Sequence, residues 1–309
     1  MKLVNRSLVV ACLAAMLSPV PAARAAEPSR DIETYVLFAL TDLEFKGRNG
    51  DATRGFISGG NVGVNCIDNF DPLAPLMSLG ANGDVVLSNG TQVVTDSGRI
   101  NNHANLYDLF VNDRWGSTAP TVRHDGPLTF TPPILNVLPP LPVCNPGITP
   151  IFIDNGVTLN LPPGSYGDLR VNDDGTLNLS AGEYQFADVS CGRRVTIHTV
   201  PGVHVTIAET MTFNNESYVG PDCSARFDVC SNGVGPLDAS VAFARKSTIY
   251  GRFWVPNGRI NLGDATNLYG KFWADRISSD NNVNMEMCGN PPVTVLPTTW
   301  SAIKTRVVE

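Results

Sequence analysis

The sequence predicts an all-β fold: a parallel β-helix, or β-solenoid, with coils of about 18–19 residues, preceded by a β-rich N-terminal segment. Three observations carry this. Two near-identical octads, Thr248-Ile249-Tyr250-Gly251-Arg252-Phe253-Trp254-Val255 and Asn267-Leu268-Tyr269-Gly270-Lys271-Phe272-Trp273-Ala274, stand nineteen residues apart. Upstream, Thr158-Leu159-Asn160-Leu161 returns eighteen residues later as Thr176-Leu177-Asn178-Leu179, each copy soon followed by a Gly-x-Tyr. Residues 151–288 also alternate apolar and polar positions, as in Val203-x-Val205-x-Ile207 and Met211-x-Phe213, which marks strands with one buried face.

Residues 1–25 read as a secretory signal peptide. Lys2 and Arg6 precede an apolar run from Leu8 to Leu17, and Ala23-Arg24-Ala25 offers a cleavage site, so the mature chain is expected to begin at Ala26. Val9-Val10-Ala11-Cys12 fits the pattern before a lipidated cysteine, but too few apolar residues precede Cys12 and the run continues past it. The run is too short to span a bilayer, and none later approaches that length, so no transmembrane anchor is expected.

Residues 26–116 form the β-rich segment. Tyr35–Leu40 fits either a buried strand or a helical turn. Glycine-punctuated β-like pieces follow at 56–64, 84–87 and 92–95, and Asn89-Gly90 suits a tight turn between the last two. Over residues 117–150 prolines recur at 120, 127, 132, 133, 139, 140, 142, 146 and 150, which excludes a central strand and predicts an extended linker or strap. Ile134, Leu135, Val137, Leu138 and Leu141 indicate that the strap is partly packed. The solenoid proper is expected over 151–288, with a tail at 289–309.

Loss of Lys2, Arg6 and Arg24 with the signal peptide leaves 19 basic residues against 29 acidic ones, a net charge of −10. That argues against nucleic acid and against an anionic membrane surface as partners. Six cysteines survive cleavage: Cys66, Cys144, Cys191, Cys223, Cys230 and Cys288. An even number in an exported chain predicts disulfides, and Cys223–Cys230, which brackets a short loop, is the first pair to expect. No Cys-x-x-Cys occurs, and His103, His124, His198 and His204 show no ligand spacing near a cysteine, so no metal site is expected. The turn Asp280-Asn281-Asn282 offers oxygens to calcium.

Alternation applied to the octads sends Ile249, Gly251, Phe253 and Val255 inward, with Leu268, Gly270, Phe272 and Ala274 above them. Tyr250, Arg252 and Trp254 then point outward under Tyr269, Lys271 and Trp273. Flat aromatic faces beside a cation suit a sugar ring or a partner's side chains. The competing reading is that the N-terminal segment, the proline strap or the tail covers this ladder, because so many exposed aromatics in one patch are unusual on a soluble protein.

The octads and their continuations, Asn257-Gly258-Arg259-Ile260-Asn261-Leu262 and Asp275-Arg276-Ile277, resemble the rungs of bactofilin-type polymer-forming β-helices. The stretch Gly55-Phe56-Ile57-Ser58-Gly59-Gly60-Asn61-Val62, following Tyr35–Leu40, is similar to the start of choice-of-anchor A domains of bacterial surface proteins. Bactofilins are typically cytoplasmic, whereas this chain carries a signal peptide and cysteines. The resemblance implies a secreted structural or adhesive solenoid at the bacterial cell surface, matrix or envelope, with polysaccharide, a surface or matrix protein, or a second copy end to end as partner. It transfers no site.

The alternative is a carbohydrate-active β-helix enzyme, a lyase or hydrolase. A hydrolase needs paired carboxylates. Asn172-Asp173-Asp174-Gly175 is the tempting cluster, but no Gly-His-Gly or Arg-x-Lys accompanies it, and a turn between coils explains it equally. Arg193-Arg194 offers a base for a lyase, with no acids expected opposite by register. No Gly-x-Ser-x-Gly elbow or phosphate-cradling loop is present, so no catalytic residue is assigned.

Overall fold

In the computed structural model the described residues are 29–47, 55–65, 76–80, 85–88, 91–100, 104–105, 108–117, 122–123, 138–231 and 240–288. The expected signal peptide, Cys66, Asn89-Gly90, His103, His124 and the tail lie outside them. Within the described residues the chain is a parallel β-solenoid, and its only helical element is a 3-10 turn at Ile32–Thr34. Every pairing in the sheet is parallel, and each coil contributes one strand to each of three faces.

The repeats define the register. Thr158–Leu161 lies directly under Thr176–Leu179, and the two octads pair residue for residue from Thr248↔Asn267 to Val255↔Ala274. Coil length departs from the expected spacing. It runs from Gln92↔Asp108 at sixteen residues to Leu43↔Met77 at thirty-four.

Apolar residues at matching positions stack into three interior columns. The first face contributes Leu169, Val189, Met211, Val241, Ile260 and Ile277. The second contributes Leu177, Ile197, Val219, Ile249, Leu268 and Met285. The third is aromatic, with Phe227, Phe253 and Phe272 stacked at centroid spacings of 4.6 and 5.1 Å. Neighbouring coils lie about 4.8 Å apart, so each residue in a column is sealed by its counterparts above and below.

These columns do not end with the C-terminal half. Leu43 continues the first face above Ile277, Ile57 continues the second above Met285, and Leu37 continues the third above Phe272. The N-terminal segment is therefore the upper part of the same solenoid and not a separate body preceding it. One coil is a hybrid: Arg276–Ser279 and Asn284–Glu286 supply two sides, and Tyr35–Ala39 supplies the third. Above it the chain climbs through strands Gly55–Ser58, Asn61–Val64, Met77–Leu79, Val85–Leu87, Gln92–Ile100 and Ala104–Asn105 to Asp108–Ser117 and Val122–Arg123.

Tyr35–Leu40 is strand, within Tyr35–Phe45. Strands Val85–Leu87 and Gln92–Ile100 are consecutive sides of one coil, paired to different partners. The region expected as strap includes strand Val122–Arg123, and its described part beyond that strand is 138–150. It runs back down the solenoid to the coil that begins at Ile151. Leu138 packs beside Trp254 and Trp273, and Cys144 is bonded to Cys230. Further down, Asn145 N–H donates to Gln185, and Gly167 N–H donates to Thr149 O.

The disulfides are Cys144–Cys230 and Cys223–Cys288, not the expected Cys223–Cys230. Stacked coils bring together residues far apart in sequence, so each bridge ties different levels of the molecule. Cys191 is not bridged and is a buried free thiol in the core.

Candidate functional site

The glycine of each octad decides where its outward residues go. Gly251 and Gly270 sit at φ +139° and +142°, in the region that favours glycine. Before Gly251 the strand pairs with Tyr218–Gly220; after it the partner becomes Arg226–Val229. The chain turns a corner there. The expected single outward ladder is thus split, with Tyr250 and Tyr269 on the second face and Arg252, Lys271, Trp254 and Trp273 on the third.

On the third face the two tryptophans are 3% and 2% exposed, despite pointing away from the interior columns. With Ile32, Tyr35, Phe38, Val94 and Phe110 they form a second apolar cluster outside the coil wall. Trp254 Nε1 donates to Pro140 O of the strap at 3.2 Å, and Trp273 Nε1 donates to Tyr35 O at 3.0 Å. Both polar handles are satisfied, as burial of indole requires. The covered reading of the ladder therefore holds for the tryptophans, which are unavailable to a ligand in this structure.

Arg252 and Lys271 are bridged by Glu33, at 2.5 Å each, and both cations also lie within 6 Å of the Trp273 ring centroid. Burial alone would raise the Glu33 pKa, but the bonds from Lys271 and Arg252 outweigh it and hold the carboxyl below its usual value. Nothing near Glu33 in sequence announces this role, because its partners come from octads more than two hundred residues away.

On the second face Tyr250 and Tyr269 stack at 4.5 Å with planes 13° apart, and Tyr218 leans on Tyr250 at 5.9 Å. Gly220 makes room for the column: a Cβ there would stand 2.6 Å from the Tyr250 ring. All three tyrosines remain half-buried. Burial pushes up the pKa of Tyr218, Tyr250 and the adjoining Glu286. Polar ladders surround the column, with Asn178 Nδ2 donating to Asn160 at 2.7 Å and Asn284 Nδ2 to Asn267 at 3.0 Å. Tyr218 was missed from sequence because its coil lacks the octad pattern around it.

The corner leading into the second face carries Asp173 and Asp174. Asp174, Arg194, Glu216, Lys246, Ala265 and Asn282 all adopt φ near +60° at this corner. Register places Asp173 and Asp174 directly against Arg193 and Arg194, contrary to the expectation that no acids face these arginines. Both ion pairs are two-pronged; the backbone N–H of Arg193 and then its side chain hold Asp173 below its usual pKa, the Arg194 side chain does the same for Asp174, and Asp174 holds Arg194 above its own. The corner is a charge ladder along the stack.

His204 likewise has acid neighbours that its local sequence does not show. Its Nδ1 lies 2.7 Å from Glu183 and its Nε2 3.0 Å from Asp228, carboxylates on the coils below and above. Asp228 is buried and also bound by Arg226. The bond to Asp228 raises the histidine pKa, with Asp228 and Glu183 charges adding to it. His198 instead sets its ring edge against Tyr218. In the turn proposed for calcium, Asp280 pairs with Lys46 and Asn282 Nδ2 donates to Asp264. Among the described residues no group of three or more His, Cys, Asp or Glu converges as a metal site.

No protein-family model, no curated protein and no solved structure matches the chain. The site must be read from its own geometry. It has a half-buried tyrosine column on a flat polar sheet face, a sealed tryptophan cluster beneath strap and N-terminus, and carboxylates paired with cations along the stack.

Proposed function

We propose that the chain is a secreted structural or adhesive β-solenoid of a bacterial surface, matrix or envelope, and that it presents its second face to a glycan. The Tyr218–Tyr250–Tyr269 column carries this reading. It offers stacked aromatic surface for sugar rings, flanked by amide and hydroxyl ladders repeating at the coil spacing of about 4.8 Å. Two disulfides fit an oxidising compartment. No helix among the described residues is long and apolar enough to cross a membrane.

Retention on insoluble polysaccharides tests the reading, with Tyr250→Ala/Tyr269→Ala compared against the unaltered chain. Reduced retention supports it, and equal retention sinks it. The enzymatic alternative draws on Asp173 and Asp174, and the arginines that engage both disfavour them as an acid–base pair.

End-to-end association belongs to the same reading. The coil at Ile151–Ser165 has no coil beneath it among the described residues, and Ile148 and Phe152 there are 97% and 64% exposed. Unpaired strand edges of this kind join like edges. Electron microscopy of the mature chain distinguishes filaments or paired particles from single ones.

A further inference from the structure

The outward side of the first face holds a groove of about 370 Å³ where the two halves of the chain meet. Ala242, Asn261 and Ser278 form its floor, neighbours in register on successive coils, and their small side chains leave a trough. Arg259 stands where the chain enters this face; Arg245, Asp280 and Lys46 stand where it leaves. Lys46 belongs to the N-terminal half and is anchored by its own N–H to Ser279 Oγ at 2.8 Å, so the groove is complete only when the halves are joined.

The charge here opposes that of the molecule. The chain carries a net −7, yet among the described residues this groove is lined by three cations and a single carboxylate, Asp280. Lys46 meets Asp280 only at 3.7 Å, and Arg245 reaches Asp264, outside the lining, at 3.2 Å. Among the described residues Arg259 makes no ion pair within 4.0 Å; Arg276 is its neighbour in register, Asp42 lies within electrostatic reach of it, and Glu44 pairs in register with Ser278 at the edge of the floor. A guanidinium fork matches the two oxygens of a carboxylate or sulfate. On the floor, Asn261 Oδ1 accepts from the Ser278 hydroxyl at 2.6 Å, and its amide nitrogen remains the donor for a ligand. The volume falls at the lower end of small-ligand sites.

We propose that this groove binds an acidic sugar unit, a uronate or a sulfated sugar, with Arg259 and Lys46 meeting its anionic groups from the two ends and Asn261 donating to a ring or hydroxyl oxygen. This is a second site, on a different face from the tyrosine column.

Titration calorimetry on the full mature chain at low salt tests it, with trigalacturonate, a sulfated disaccharide and a neutral trisaccharide as probes. The acidic probes bind, the neutral one does not, and added sodium chloride weakens the interaction. The better of the two acidic probes identifies the carboxylate or the sulfate as the group read. Arg259→Gln and, separately, Lys46→Gln weaken binding at least tenfold while their melting temperatures stay near that of the unaltered chain, and Tyr250→Ala/Tyr269→Ala binds normally. Failure of both acidic probes overturns the proposal. So does unchanged affinity in both groove variants, inorganic sulfate binding as tightly as the oligosaccharides, or loss of acidic-sugar binding in the tyrosine variant alone, which assigns the sugar to the second face.

Discussion

Trp273 Nε1 donates to the carbonyl oxygen of Tyr35 at 3.0 Å, across 238 positions of sequence. This bond fastens the first strand of the N-terminal half to the last octad of the C-terminal half, inside a cluster closed to solvent. Trp273→Ala should therefore cost about 3–5 kcal/mol of stability, as for other buried aromatics, and Trp254→Ala a similar amount. Urea denaturation checks this; a change within about 0.5 kcal/mol is what an exposed tryptophan would give.

The cysteines should divide in the same way. Non-reducing peptide mapping is expected to recover Cys144–Cys230 and Cys223–Cys288. Burial pushes the Cys191 thiol far above its ordinary pKa, with the Asp188 charge adding to it, so iodoacetamide should spare Cys191 in the folded chain and label it after denaturation. Cys144→Ser/Cys230→Ser opens a closure spanning 86 residues and should cost about 2–5 kcal/mol.

His204 makes stability depend on pH. Its folded pKa is raised above the ordinary histidine value by Asp228 and Glu183, so the protonated form is the one the fold favours. The contribution is fully present below about pH 6.5, the unfolded value, and is lost as pH rises through the higher folded value. Melting temperature should fall across that window, and His204→Gln should flatten the fall. Arg226 keeps Asp228 paired in the variant, which limits the side effect. An identical pH profile in the variant would exclude His204 as its source.

The corner glycines should be unequal to other glycines. A Cβ at Gly270 would stand 1.8 Å from Gly251 O at φ +142°, so Gly270→Ala should cost about 3 kcal/mol or more. Gly156, at φ +69° with nothing within 4 Å, should tolerate alanine for about 1 kcal/mol. Parallel denaturation of the two variants measures the difference.

The rungs were legible because a solenoid repeats its chemistry at each coil. Thr158–Leu161 and the octads announce their own register, and alternation separates Phe253 and Phe272 from Arg252 and Lys271. What was not legible depends on contacts that no local pattern carries. Alternation assigned Gly251 an ordinary inward place, and only its φ shows that the octad turns a corner there. Nothing around Leu37 names Phe272 as the level below it. Cys223 and Cys230 looked paired because they are close in sequence, whereas stacking places the partner of each on another level. The pairing of Asp173 and Asp174 with Arg193 and Arg194 followed from the coil period and was recoverable from sequence, had the turn residues been aligned coil by coil.

The hybrid coil also sets an order of events. Ribosomal synthesis makes residues 35–123 before the octads exist, yet the lower edge of Tyr35–Phe45 finds its partner only in Asn267–Ser279. The first-made half must wait with one sheet edge open until residues 124–279 have been added. Contacts of such separation are slow to form. Assembly should therefore begin in the coils from Ile151 onward, whose neighbours follow one another directly, with the N-terminal coils added last onto a finished template.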